Sequence, residues 1–277
     1  MLSFLENIKR FKDARIDKLG DSHEKKKRFS GYMNLIFKNN MCRNKLLVVN
    51  GLISTIVEYM NFLEAVQALE TPRKVQNNSL IEKIYNIIAS EVSQSPHSIT
   101  LCGMIEDGQK SCNQERVELV DNKCLKIHIN QLPILLNPWK GKQVIGALEG
   151  INENNVFDGA EYSWNIQNHY LYPMNIIVCH GGNHSQFVAK IKNQGYTIVN
   201  ELHDYSKIYD LVEFDGENYV KSIDKTIIEI DYDEHILFYS GVIFEMGRYI
   251  LENNYHSLNL AKEKFKKNHD KINNAMR

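Results

Sequence analysis

The segment MNIIVCHGGNHSQFVAKIKNQG, residues 174–195, constrains the fold more than any other part of the chain. Its opening apolar run reads as a buried strand, two glycines end it, and the amphipathic stretch beyond reads as a short helix closed by Gly195 as its C-terminal glycine. The following YTIVNEL is a second strand, so the unit is strand, helix, strand, with a right-handed crossover if the strands are parallel. Gly181 and Gly182 put no side chain between the backbone and a ligand. The amides after them open a helix, where partial positive charge favours phosphate or carboxylate. Gly181, Gly182, Asn183, His184 and Ser185 are therefore expected to bind a nucleotide or another phosphorylated ligand, with Mg2+ as its candidate companion. The plainer alternative is a tight turn in which Asn183 and Ser185 cap the helix.

Chemistry at such a loop needs acid–base groups. His184 is the first candidate for a phosphate donor or general acid, because imidazole titrates near neutral pH. His180 and the Asn168-His169 pair are weaker candidates on the flanks of the same strand, and a polar surface loop explains Asn168-His169 equally well. A hydrolytic or phosphoryl-transfer step also needs a carboxylate to hold a metal or activate a nucleophile. Glu201 and Asp204, with His203 between them, lie where the second strand ends; the alternative is a solvated strand end and a helix N-cap. The catalytic candidates are thus His184, Glu201 and Asp204, with the metal left open. Glu245 and Arg248 read as a structural helix pair, and Lys25, Lys26, Lys27 and Arg28 as an exposed basic helix face.

The remainder predicts an α+β protein. Apolar residues recur at three- and four-residue steps over 45–70, from Leu46 through Val49, Ile53, Val57, Met60, Leu63 and Val66, before Thr71-Pro72 closes the helix. Ser79 is placed to cap LIEKIYNIIASEV, with Leu80, Ile84, Ile87 and Ile88 on one face. RVELV and CLKIHIN alternate around Asp121-Asn122-Lys123 as a hairpin, and a polar loop carrying GKQ, NENN and DG follows QLPILLNPW. Beyond the central unit come a short helix YSKIYDLV capped by Asp204, a turn at Asp215-Gly216, a strand-like TIIEID, an amphipathic helix over 234–252 and a charged C-terminal helix. The boundary is set near residue 110: a helical lobe over 1–110, suited to regulation or oligomerisation, and an α+β unit with C-terminal helices over 111–277.

Composition narrows the setting. A formal net charge of -1, from 33 basic and 34 acidic residues, provides no global field toward nucleic acid or membranes. Five cysteines without a CxxC pair fit a reducing cytoplasm better than a disulfide framework. Asn50, Glu58 and Asn61 interrupt the most apolar helix, so no membrane span is expected.

The pattern Gly-Gly-x-His at a strand-to-helix turn, here Gly181-Gly182-Asn183-His184-Ser185 followed by Ala189 and Gly195, resembles the nucleotide-binding core of the ParB and sulfiredoxin superfamily. IHINQLPILLNPW, with its Asn137-Pro138 pair, is similar to the first element of ParB-like domains. The resemblance covers residues 125–205 and extends to an uncharacterised bacterial family with a GGNHS core. It implies a mixed sheet with helices that binds a nucleotide, in a bacterial cytoplasmic protein, with a ParB-like nuclease or nucleotide-dependent phosphotransferase as the enzymatic alternative. The departures matter too. Asn183 and Ser185 stand where sulfiredoxins carry the catalytic cysteine and an arginine, which excludes sulfinic-acid reduction. The loop has no arginine of the partition-protein or serine-kinase kind, and these losses favour a third reading, a non-enzymatic interaction protein of mobile-element or phage-defence systems.

Overall fold

The computed structural model describes residues 19–38, 44–70, 80–100 and 125–255. Among the described residues, six α-helices and mixed sheets make an α+β fold. In chain order the helices are α1 (Ser22–Phe37), α2 (Lys45–Glu70), α3 (Leu80–Glu91), α4 (Gly141–Gly150), α5 (Asn183–Lys192) and α6 (Glu234–Glu252). The strands are β1 (His97–Thr100), β2 (Leu125–His128), β3 (Ile134–Leu135), β4 (Gln167–Tyr172), β5 (Ile176–Gly181), β6 (Tyr196–Val199), β7 (Glu201–Asp204), β8 (Val212–Phe214) and β9 (Tyr219–Lys221). The sequence expectations at Thr71-Pro72, Ser79, the Asp121-Asn122-Lys123 hairpin, the C-terminal charged helix, and Cys42, Cys102, Cys112 and Cys124 lie outside the described residues.

A five-stranded mixed sheet in the order β1-β7-β4-β5-β3 organises the chain, with β4 at its centre. β4 runs parallel to β7 and antiparallel to β5, with His169 opposite Glu201 on one side and Val178 on the other. Side chains alternate across a sheet, so the two faces bury different sets. Leu171, Ile176 and Val178 point into a core with Ile53 and Val57 of α2, Ile81, Ile84, Tyr85 and Ile88 of α3, and Phe244 and Met246 of α6. Tyr170, Tyr172, Ile177, Cys179 and Leu202 face the opposite way, onto Val144 of α4 and Phe187, Val188 and Ala189 of α5. The N-terminal helices are thus part of the same core as the sheet.

α2 is the one described helix long and apolar enough, by composition, to cross a membrane. One face of it, with Val49, Ile53, Ile56 and Val57, packs into the core, and Leu47, Phe62, Val66 and Leu69 are exposed. Its buried Asn61 donates to the Ile134 carbonyl at 2.8 Å and accepts from the Leu136 amide at 2.7 Å, satisfying backbone groups at the sheet edge. A polar residue that interrupts the apolar run therefore serves as the helix's anchor to β3.

The strand–helix–strand unit forms, but with different partners from a simple crossover. YTIVNEL splits at Asn200 into β6, which pairs with β2, and β7, which joins the main sheet beside β4. The split arises because the Asn200 amide and side chain both turn to Asn168: Asn200 N–H donates to the Asn168 carbonyl, and Asn168 N–H donates to Asn200 Oδ1. The helix α5 is capped by Asn193 in the left-handed region (φ 52°), not by Gly195. Gly195 (φ +95°) is required for another reason: a Cβ there would lie 1.9 Å from the Phe157 carbonyl oxygen. The polar loop after QLPILLNPW contains α4, which the glycine-rich GKQVIGALEG obscured. YSKIYDLV shortens to a 3-10 turn at Ser206–Ile208, with Asp204 Oδ1 accepting from the Ser206 amide, and TIIEID contributes only a bridge at Ile227.

Candidate metal centre

Three neighbouring strands and one helix bring five ionisable side chains to one place. On β4, His169 has the parity of Leu171; on β5, His180 has that of Val178 and Ile176; on β7, Glu201 and His203 flank Leu202, which faces the other way. All four therefore project from the face covered by α3. Glu82 of α3 comes down onto them. Its position is set by the buried side of that helix, where Ile81, Ile84, Tyr85, Ile88 and Ala89 pack on the sheet.

Glu82 is the hub. Its Oε1 lies 3.1 Å from His169 Nδ1 and 2.7 Å from His203 Nδ1, and its Oε2 lies 2.5 Å from His180 Nε2. On the far side of the same rings, Glu201 Oε2 is 2.9 Å from His203 Nε2 and 3.9 Å from His169 Nε2. The imidazoles stack loosely, with His169 centred 4.1 Å from His180 and 4.6 Å from His203. Exposure is graded: the side chain of Glu82 is 4% exposed, those of His169 and His203 10%, His180 22% and Glu201 32%. Solvent reaches the cluster from the Glu201 and His180 side.

The electrostatics follow from this arrangement. Burial works against the Glu82 charge, but the contacts with His169, His180 and His203 outweigh it and hold the carboxyl far below the usual carboxylate range. Burial also opposes the charge on His203, yet its position between Glu201 and Glu82 raises it to about 9. The His203 contact lowers Glu201 in turn. At neutral pH His203 is therefore a buried imidazolium between two carboxylates. His169 Nε2 is a buried nitrogen with no hydrogen-bond partner, turned toward Glu201.

Two overlapping donor sets have metal-binding proximity, Glu82 with His169 and His180, and His169 with Glu201 and His203, the ligand atoms in each lying within 4.8 Å of one another. Imidazole nitrogen and carboxylate oxygen are the donors that suit zinc, iron, cobalt, nickel and manganese. Ligands on a tetrahedral ion with bonds of about 2.0 Å stand about 3.3 Å apart, and the donor separations, from 2.5 Å for His180 with Glu82 to 3.9 Å for His169 with Glu201, lie on both sides of that value.

The glycine turn is built differently from a ligand cradle. A Cβ at Gly181 would lie 2.3 Å from the Asn165 carbonyl oxygen, and one at Gly182 (φ +74°) would lie 2.3 Å from Ile166 Cδ1. Both glycines therefore admit the chain's own 165–166 segment. Asn183 is buried and its Oδ1 accepts from the Asn137 amide at 2.7 Å, while His184 Nε2 accepts from the Lys140 amide at 3.0 Å. These two residues fasten the Asn137-Pro138 turn ahead of α4. Burial and the nearby Lys140 charge push His184 down to about 4, so it is neutral at pH 7 with its acceptor nitrogen occupied.

Of the catalytic candidates, the structure joins Glu201 to His203 and His169, with His180 on the other side of Glu82, and separates it from His184 and Asp204. Asp204 has the opposite parity to His203 and holds the turn at Ser206. His169 lies in a central strand, not in a loop. Ser185 is part-exposed in the first turn of α5, next to that turn's backbone. The basic run is engaged by acids: Lys25 with Glu234 and Glu217, Lys26 with Asp215, and Lys27 with Glu24, while Arg28 lies over the Phe238 ring. Glu245 and Arg248 tie α6 to the β8 segment through the Phe214 amide and the Tyr209 and Val212 carbonyls.

Glu82 was missed from sequence. Its only signal is that an acid lies in line with Tyr85 and Ala89, at the i, i+3, i+7 positions of a buried strip. The match to known families spans this whole arrangement, covering residues 14–257. The chain belongs to the DUF6710 family, a family of unknown function. The family match thus encloses Glu82, the three histidines and Glu201 alike. No curated protein and no solved structure matches the chain.

Proposed function

We propose that this protein is a metalloprotein that binds a divalent transition-metal ion at the cluster of Glu82, His169, His180, Glu201 and His203. The single observation that carries the reading is the buried, unpartnered His169 Nε2, set among a second imidazole and a carboxylate at ligand spacing. A buried polar nitrogen without a partner is costly, and an ion coordinated there removes that cost. Binding also displaces the proton that His203 otherwise holds between Glu82 and Glu201, so metal uptake releases protons at neutral pH. The setting is a reducing bacterial cytoplasm, where thiols stay free and the imidazole and carboxylate donors carry the site.

The test is direct. Protein purified without added chelator is analysed for metal by mass spectrometry, stripped, and titrated with Zn2+ against a chromophoric competitor. The expected result is stoichiometric metal, lost in His169→Ala and kept in His184→Ala. No metal in the purified protein and no competition by the stripped protein would sink the reading, leaving a buried hydrogen-bonded network.

A phosphorylated ligand at Gly181, Gly182, Asn183, His184 and Ser185 is the second reading. It is supported by the start of α5, which has no side-chain cap and opens with amides that carry partial positive charge. A nucleotide thermal-shift screen with and without Mg2+ tests it; no shift with any nucleotide removes it.

A further inference from the structure

We propose that the exposed apolar surface formed by α2, α4 and α5 is where a second copy of this chain docks, with α2 of each copy lying on α4 of the other about a two-fold axis that runs along the helices. Nothing in this contact depends on the metal centre.

α2 has more apolar positions than the core takes up. In its second half the buried positions are Asn61, Ala65 and Ala68, and beside them Phe62, Val66 and Leu69, at steps of four and three, form an exposed stripe. The smaller residues thus face the protein and large apolar ones face out. Only 33% of the most apolar stretch of this helix is buried.

The neighbouring helices extend the stripe. α2 runs antiparallel to α5, since Glu58 pairs with Lys190 at 2.8 Å and the Phe62 ring lies 5.7 Å from that of Phe187. α4 runs alongside α5 in the same direction: the Lys140 amide donates to His184 where both helices begin, and Lys192 donates to the Leu148 carbonyl where both end. α4 also opens directly against the end of α2, because a Cβ on Gly141 would lie 2.9 Å from the Ala68 carbonyl oxygen and 3.3 Å from Leu69 Cδ2. Ile145 and Leu148 follow Gly141 on the same side of α4, and Ile191 stands one turn beyond Phe187 on α5. With Phe62, Val66 and Leu69 they make six side chains, each 40% to 52% exposed. Together they present roughly 600 Å2 of apolar surface, at the top of what a single chain shows in one patch and most of the ~800 Å2 that each partner gives to a stable interface.

Charge selects the occupant and the axis. The second half of α2 carries Glu58, Glu64 and Glu70 and no basic residue, while Lys140 and Lys142 stand at the start of α4. Glu70 on the α2 flank and Lys142 on the α4 flank are both exposed, and they lie at the same end of the surface because Gly141 meets Leu69. At the other end Glu58 and Glu149 stand with Lys190 and Lys192, so that end is neutral. A two-fold axis along the helices exchanges the flanks and keeps the ends, which brings Glu70 of each copy to Lys142 of the other. An axis across the helices sets the acidic flank against itself. A bilayer with anionic headgroups, the other apolar partner, repels the same acids.

Sedimentation equilibrium of the full chain across a dilution series should show a dimer that dissociates at low concentration. Val66→Glu puts a charge at the centre of the surface and should weaken the dimer at least about 100-fold, with circular dichroism and melting temperature as in wild type. Glu70→Lys and Lys142→Glu should each weaken it about 5–30-fold, the effect of turning two surface pairs into like-charge contacts. An equimolar mixture of these two variants should regain wild-type affinity, because their charges oppose again only across the interface. A chain that stays monomeric throughout the series would overturn the second copy, as would a dimer that Val66→Glu leaves intact. A mixture no tighter than its parents would overturn the placing of α2 on α4. Flotation of a monomeric wild type with mixed phosphatidylcholine and phosphatidylserine vesicles, lost in Val66→Glu, would assign the surface to a bilayer instead.

Discussion

Glu82 on α3 and His203 on β7 meet beneath the sheet, with Glu82 Oε1 2.7 Å from His203 Nδ1 and the opposite ring nitrogen 2.9 Å from Glu201. The helix and the strand are far apart in the chain. Their contact depends on α3 packing its Ile81, Ile84 and Ile88 stripe against Leu171, Ile176 and Val178.

In chelator-treated protein this contact has a stability signature. Glu82→Ala leaves a buried imidazolium without its inner counter-charge, and the expected loss is about 3–5 kcal/mol in urea unfolding. The pH dependence has a definite sign. The folded-state value of His203 is raised to about 9 from 6.5, so its contribution is fully present below 6.5 and is lost as pH rises toward 9. Metal-free wild type should therefore lose stability across that window more steeply than His203→Asn. Equal slopes in the two proteins would show that His203 carries no charge there.

His184 should give the opposite slope. Its folded-state value is lowered from 6.5 to about 4, chiefly by burial and then by Lys140, so the unfolded chain binds the extra proton. The resulting stability is present above 6.5 and declines as pH falls toward 4. Melting temperatures of His184→Gln should fall less steeply between those pH values than those of wild type. Metal content at neutral pH should not change. A loss of metal in this variant would contradict the separation of the glycine turn from the centre.

Asn61 is expected to be costly to remove although it touches no ligand. Asn61→Ala strands the Ile134 carbonyl and the Leu136 amide in a buried site, with a penalty of about 1–3 kcal/mol for each group left unpaired. Equilibrium unfolding measures it. A change below the smaller figure would mean that water enters and replaces the amide.

Much of the fold was legible because it is written in local periodicity. α2 and α6 end where their apolar spacing predicted, and β5 and α5 stand where an apolar run, two glycines and an amphipathic stretch placed them. α4 was obscured because three glycines sit in its ten residues and weaken the helical signal. The boundary between β6 and β7 was also hidden, since the break at Asn200 is made by a bond to Asn168, a partner in another strand.

The site divides in the same way. His169, His180, Glu201 and His203 were visible as residues able to do chemistry, but Glu201 and His203 read as the end of a strand, and the structure makes them alternate residues of β7 on one face. Their partner Glu82 was not visible, because a glutamate inside an amphipathic helix reads as a solvated charge until its neighbours are known. The sequence by itself determined α2, α6 and the β5–α5 unit, because helix and strand periods are properties of the local backbone, whereas β4 with His169 read as a polar loop. Only the tertiary structure decided that β4, β5 and β7 lie side by side and that α3 lays Glu82 across them. That outcome depends on burying two apolar faces of one sheet at once, and the same packing that brought the histidines to the carboxylate filled the glycine turn with the protein's own backbone.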